Sequence, residues 1–344
     1  MKTLVITDLH LSNKIRGLLT AQTECLSRIF KEENPDEAII MGDVFMSRKP
    51  SPTVLLALKK VLDEHKGNIS FTILRGNHDS ETKADDGVTA LSLFNEAGVV
   101  DIITHTTTDN LTNRVYIPHY ENEQRIIEAL RSVPKGYRVF GHFGFSGSLN
   151  SAGDSDFTIP LREFRNSCML GHIHHFHERT LDLEEEEIRI KLTCLGTPYT
   201  TNFNESGKGN FYAILEGDKV TYKEVTHGPK HIVVNYDDIA EAAEDLNNTD
   251  YFKVVQVHVS KLSDTDNHLI AQDLLGMFPI DCLEVKYKPI YDGEVENYYD
   301  PATSLFDLTR DVLEAYVDNS PVELDKKQLM EGLDKINENK ESHN

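Results

Sequence analysis

Seven residues able to bind metal ions occur in this sequence in five short clusters. Asp8 and His10 form Asp-x-His, Asp43 follows Gly42, and Asn77 lies within Gly76-Asn77-His78-Asp79; His142 follows Gly141, and His172 and His174 form Gly-His-x-His. Any one of these is more often ordinary loop than ligand. Five in a row, each after a short apolar run, would not arise together by chance. The donor set is carboxylate, imidazole and amide oxygen, which suits manganese, iron or zinc better than magnesium or calcium alone. Two such ions sharing a carboxylate can lower the pKa of a bridging water, orient a phosphorus centre and stabilise the oxygen that leaves it. No cysteine is required. Cys25, Cys168, Cys194 and Cys282 are scattered with no Cys-x-x-Cys pair, as expected of buried small hydrophobes rather than a zinc knuckle or a disulfide framework.

The apolar runs preceding the clusters, 3–7, 37–41, 69–74, 137–140 and 167–170, read as buried strands. Apolar periodicity over 18–31 and 53–65 predicts helices between the early ones. This βα alternation implies an α/β fold with a largely buried sheet. Its candidate ligands gather beyond the carboxyl ends of the strands, where such folds hold their active sites. The glycines before Asp43, Asn77, His142 and His172 suit strand-exit turns where backbone approaches a site closely.

Residues 146–156 have loop composition and follow His142, as a loop at a substrate cleft would. From Leu181 the pattern is β-rich, with strands expected at 188–195, 211–215 and 219–225, completing a second sheet of the same domain. The acidic run 182–187 reads as a solvated hairpin tip. A small α+β unit is expected from about Lys230, with strands at 252–259 and 282–287 and a helix at 268–275. Beyond Pro289 two amphipathic helices are expected. Leu305, Leu308, Val312 and Tyr316 stripe the first, and Leu329, Leu333 and Ile336 the second. The division is therefore 1–229, 230–290 and 291–344.

A chain of 344 residues accommodates one domain of about 200 residues and a smaller one. No stretch approaches the ~20 apolar residues of a membrane helix, and Met1 leads directly into a strand. A cytoplasmic protein without a membrane anchor is the expectation.

The ordered set of clusters resembles the calcineurin-like metallophosphoesterase superfamily. That resemblance implies a two-sheet sandwich flanked by helices, holding two divalent ions, with manganese foremost. It places Asp8, His10, Asp43 and His174 around one ion and Asp43, Asn77, His142 and His172 around the other, with Asp43 as the bridge. His78 matches the family's non-ligand histidine, which contacts the scissile phosphate or protonates the leaving alkoxide. Asp79, next to it, would orient that imidazole as an acceptor. His119, His175 and His177 are lesser candidates, and an ordinary structural role is favoured for each.

Phosphoprotein phosphatases of the class carry Asp-Arg-Gly after the bridging aspartate and Gly-Asn-His-Glu at the third cluster, so Gly42-Asp43-Val44-Phe45 and Gly76-Asn77-His78-Asp79 disfavour that branch. The chain is instead similar to the SbcD family of repair and recombination nucleases and its phage relatives. Asp8-Leu9-His10-Leu11, Gly42-Asp43-Val44-Phe45, Lys49-Pro50-Ser51, Leu170-Gly171-His172-Ile173-His174, Leu195-Gly196-Thr197-Pro198 and Lys208-Gly209-Asn210-Phe211 stand in that family's order over about residues 1–225. The resemblance implies a metal-dependent DNA exonuclease and endonuclease with a capping domain. It also implies C-terminal helices docked on an SbcC-type coiled-coil ATPase, as a homodimer within a heterotetramer. A net charge of −22 is unusual for a chain that grips DNA alone, and bound cations with a basic partner would offset it. Cyclic-nucleotide phosphodiesterases share three of the clusters and are the alternative enzyme. A metal-free scaffold is the non-enzyme alternative, disfavoured because all seven ligands are present. One departure is Met46, where many cellular members carry a histidine three residues after the bridging aspartate; a thioether neither transfers a proton at neutral pH nor binds a hard metal well.

Overall fold

Strand β1 (Lys2–Ile6) buries alternate side chains on opposite faces: Leu4 and Ile6 enter one apolar cluster and Val5 another. A strand covered on both faces requires layers on either side, and the computed structural model supplies them. It describes residues 1–148, 159–183, 188–259 and 264–287. Residues 1–288 fall in one compact unit, and the two expected C-terminal helices lie in 289–344, outside the described residues.

From β1 the chain runs through α1 (Leu18–Glu33), β2 (Glu37–Ile40), α2 (Pro52–His65), β3 (Ser70–Leu74) and β4 (Val100–Ile103), and β1 to β4 pair in parallel. A second sheet follows from β5 (Thr107–Asp109), β6 (Arg114–Ile117), β7 (Arg138–His142), β8 (Cys168–Gly171), β9 (His177–Leu183) and β10 (Ile188–Cys194), in the order β5-β6-β7-β8-β10-β9, with α3 (Glu123–Ser132) between β6 and β7. Strands β11 (Phe211–Glu216) and β12 (Lys219–Glu224) correct the expectation that they complete this second sheet. They extend the first, in the order β12-β11-β1-β2-β3-β4, because β11 lies antiparallel to β1 with Lys2 opposite Glu216.

Val5, Ile39, Met41 and Leu74 of the first sheet meet Tyr116, Phe140 and Met169 of the second in a shared core. The outer face of the first sheet packs on α1 and α2 through residues such as Leu26, Phe30, Leu58 and Phe71, and α3 covers the second through Ile126 and Leu130. The result is a helix–sheet–sheet–helix sandwich, an α/β architecture in which both sheets are largely buried. Cys25, Cys168 and Cys194 are buried and all four cysteines are free.

A third, all-parallel sheet of β13 (Gly228–Asn235), β14 (Tyr251–Val259) and β15 (Cys282–Tyr287) begins two residues before the expected boundary. Its core, Ile232, Val255, Val257, Leu246 and Leu274, is shared with α4 (Ala243–Asn247) and α5 (Asp264–Met277). β9 and β10 form the hairpin that flanks the acidic run, with Asp182 paired to Arg189 at 2.7 Å, while 184–187 and most of the 146–156 loop lie outside the described residues. No helix among the described residues is long and apolar enough to cross a membrane.

Candidate metal centre

The candidate ligands sit where the parallel strands end. The turn after β1 is laced to the turn after β2 by backbone hydrogen bonds: Asp8 N–H to Gly42 O at 3.0 Å, His10 N–H to Asp43 O at 2.9 Å, and Leu11 N–H to Val44 O at 2.9 Å. The lacing holds Asp8, His10 and Asp43 at φ values of 54°, 43° and 48°, and His172 sits at 82°. Non-glycine residues rarely occupy the left-handed region, and its concentration here marks a site whose geometry is held by its surroundings. Two of the expected glycines are sterically obligatory. A Cβ on Gly76 would come within 2.1 Å of Asp43 Oδ1, and one on Gly171 within 2.1 Å of Thr7 Oγ1.

All seven residues converge. Asp8, His10 and His174 bring ligand atoms within 4.8 Å of one another, as do Asp43, His142 and His172. Asp43 joins the halves: its Oδ2 faces His10 Nε2 at 3.6 Å, and its Oδ1 faces His142 Nε2 at 3.4 Å. Asn77 Oδ1 lies 3.0 Å from His142 Nε2 and 2.9 Å from His172 Nδ1. His10 and His174 face each other Nε2 to Nε2 at 3.1 Å. Carboxylate, amide and imidazole donors converging in a buried space, with two ring nitrogens head to head, make a donor set that a divalent cation fits. His78 also falls in a donor group, with His10 and Asp43.

Partners outside the clusters fix the rings. A carbonyl oxygen can only accept, so His142 Nδ1 donates to Met41 O at 2.7 Å and turns Nε2 toward Asp43. His174 Nδ1 is 2.6 Å from Glu205 Oε1. His78 Nδ1 donates to Met46 O at 3.0 Å, a contact made by the backbone of residue 46 rather than by its thioether. That contact corrects the role expected of Asp79, whose carboxylate instead accepts the backbone N–H groups of Gly76, Val44 and Phe45 at 2.9, 3.2 and 3.0 Å. Asp79 therefore pins the turn after β3 to the turn after β2.

Glu205 is a residue that reading the sequence missed. It is 1% exposed, and it accepts Thr201 N–H at 2.6 Å, Thr201 Oγ1–H at 2.8 Å and Asn202 Nδ2–H at 2.6 Å besides facing His174. Its position between Gly-Thr-Pro and Lys-Gly was the available signal. His175 and His177 stay outside the donor groups: His175 Nε2 meets Lys208 Nζ at 2.6 Å, and His177 Nδ1 turns to His175 O at 3.2 Å. His119 lies beside the site, its ring 5.9 Å from that of His172.

Burial dominates the electrostatics. It pushes His10 down to about 3 and His172 well below the usual histidine range, leaving neutral imidazoles with a lone pair to offer. Burial would lower His142 too, but the Asp43 and Asp8 carboxylates outweigh it and raise that ring to about 9. A proton and a cation would compete for the same Nε2 lone pair there, so a cation bound at this centre would displace a proton.

Residues 1–176 match the calcineurin-like phosphoesterase family, and the chain belongs to it. It is a phosphoesterase of the metal-dependent class. The chain is similar to the SbcD component of the SbcCD nuclease of Staphylococcus saprophyticus, 25% identical over 314 residues, covering 78% of this chain and 81% of that protein. Among solved structures it is similar to a nuclease MPE of Pseudomonas putida at 15% identity, covering 64% of this chain and 87% of that one with a TM-score of 0.33.

Proposed function

We propose that the chain cleaves DNA phosphodiester bonds through two divalent ions, manganese foremost, as the nuclease component of a complex with an SbcC-type ATPase. The observation that carries the two-ion reading is Asp43, whose two oxygens face opposite halves of the cluster. Asp8, His10, Asp43 and His174 hold one ion in this reading, and Asp43, Asn77, His142 and His172 the other. Similarity to a component of an SbcCD nuclease along most of both chains supports DNA as substrate.

When bound, the ions supply Lewis acidity to the phosphate and lower the pKa of the attacking water. The chain's residues do the rest. Glu205 and the Met41 carbonyl hold the rings of His174 and His142 so that each presents Nε2. His78, its Nδ1 committed to Met46 O, presents Nε2 to the substrate. From there it hydrogen-bonds a phosphate oxygen and protonates the leaving alkoxide.

Residues 230–290 cap the site in this proposal, and 291–344 bind the coiled coil of the ATPase through the two apolar stripes, within a heterotetramer containing two copies of each protein. The ATPase supplies the basic surface that a chain of net charge −22 needs to hold DNA. Purified protein with manganese is expected to cut labelled DNA and bis-p-nitrophenyl phosphate while leaving cyclic nucleotides largely intact. Rapid turnover of cyclic nucleotides without DNA cleavage would replace the nuclease reading. A chain ending at Lys288, where the first compact unit ends, should keep phosphodiesterase activity and stop co-purifying with the ATPase. Undiminished ATPase binding would place the partner surface elsewhere.

A further inference from the structure

His119 carries both ring nitrogens in buried positions with no hydrogen-bond partner among the described residues, although its side chain is only 14% exposed. Its closest charged neighbour, Glu121, is 3.9 Å from Nε2, beyond hydrogen-bond distance, and is engaged by Arg48 at 3.0 Å. A buried imidazole left unpaired loses its hydration without compensation, so its placement calls for a partner that the fold itself does not supply.

The backbone around this ring is held firmly. His119 N–H donates to Arg75 O at 2.9 Å, and Arg75 Nη2 donates to His119 O at 2.6 Å. Arg75 is fully buried and immediately precedes Gly76-Asn77-His78-Asp79, so the turn after β6 in the second sheet is clamped to the turn after β3 in the first. Asp85 reinforces the clamp by accepting the N–H groups of Glu121 and Asn122 at 2.8 and 3.1 Å. The ring is thereby fixed beside one half of the cluster, with centroids 5.9 Å from His172 and 6.2 Å from His142. His78 flanks the other half, 5.0 Å from His10.

We infer that His119 is a further substrate-contact residue, whose ring hydrogen-bonds a non-bridging oxygen of the scissile phosphate from the His142/His172 side. This rests on the phosphodiesterase reading above and adds to it a second imidazole, opposite His78. No bond to the metal is assigned to it, because the three donor groups among the described residues form without it.

The test compares wild type, His119→Leu and His119→Asn as full-length, manganese-loaded protein. Calorimetry reads manganese affinity, inorganic phosphate serves as the oxyanion probe, and bis-p-nitrophenyl phosphate reports turnover. His119→Leu is expected to bind manganese as wild type does, weaken phosphate binding roughly 10-fold, as for one hydrogen bond to a charged group, and lower kcat/KM by a similar factor. His119→Asn should recover part of both losses. Its thermal midpoint and that of His119→Leu should match or exceed wild type, since no internal hydrogen bond is lost. Unchanged phosphate binding in His119→Leu overturns the inference, and so does a fall in manganese affinity, which would make His119 a ligand. If wild type itself cleaves no phosphodiester, the parent reading fails, and phosphate binding still decides the contact. Should His119→Leu not fold, His119→Ala against His119→Asn gives the same comparison.

Discussion

The ring of His174 meets Glu205 through a 2.6 Å contact between Nδ1 and Oε1, and Glu205 in turn accepts three further hydrogen bonds from Thr201 and Asn202. A carboxylate that fixes a ligating imidazole sets its tautomer and raises its basicity, and removing one typically costs 10–100-fold in metal affinity. Glu205→Gln is therefore expected to weaken manganese binding roughly 10–100-fold, with activity recovering at saturating manganese. Calorimetric manganese titration with a parallel activity curve checks this. Equal affinity in mutant and wild type would make the contact incidental to metal binding.

The candidate site was legible in the sequence wherever a residue lies within two positions of its strand's end, as Asp8 does after β1 and His172 after β8. Glu205 and His119 were not legible in the same way. Glu205 reaches His174 across 31 positions, and the role of His119 depends on a clamp to Arg75 44 positions away. Asp79 was misread because adjacency in sequence to His78 says nothing about where the carboxylate points; its donors include two N–H groups 34 and 35 residues earlier. The hairpin of β11 and β12 has a pattern that fits either sheet, and only its register against β1 decides. Strands β4 to β6, three or four residues each, are too short for alternation to register.

Asp43→Ala should abolish phosphodiester cleavage and lower the metal content more than any other single ligand change. In the proposed assignment Asp43 alone serves both ions, and its oxygens face His10 and His142 on opposite sides. Metal analysis after gel filtration, beside Asp8→Ala and His174→Ala, gives the ranking. Two metals per chain and normal turnover in the mutant would remove Asp43 from the bridge.

His78→Ala is expected to separate binding from chemistry. Manganese occupancy should stay near that of wild type, while cleavage falls by about 10²–10⁴, the usual contribution of a general acid. Because His78 also lies in a donor group with His10 and Asp43, the alternative is concrete. Metal lost in step with activity would mean that His78 is a ligand rather than a proton donor.

Acid should expose an ion-pair network remote from the site. Glu33, the last residue of α1, accepts Tyr212 Oη–H at 2.6 Å and Lys223 Nζ–H at 2.7 Å, and lies 3.0 Å from Lys2 Nζ, tying the helix to β11, β12 and β1. Burial alone would raise its pKa, but the hydrogen bonds from Lys223, Tyr212 and Lys2 outweigh this and hold it at about 2, below the ordinary 4.5. A carboxylate depressed in the folded state stabilises the fold fully above the unfolded pKa and loses that stabilisation as pH falls toward the folded value. Glu33→Gln should therefore be less stable than wild type at pH 7, by about 2 kcal/mol given that both lysines are partly solvated, and the gap should narrow as pH falls from 4.5 toward 2. Urea unfolding of both proteins in chelator, at several pH values across that window, measures the difference without a metal contribution. A gap that stays constant with pH would assign the loss to packing at Tyr212 rather than to the charge on Glu33.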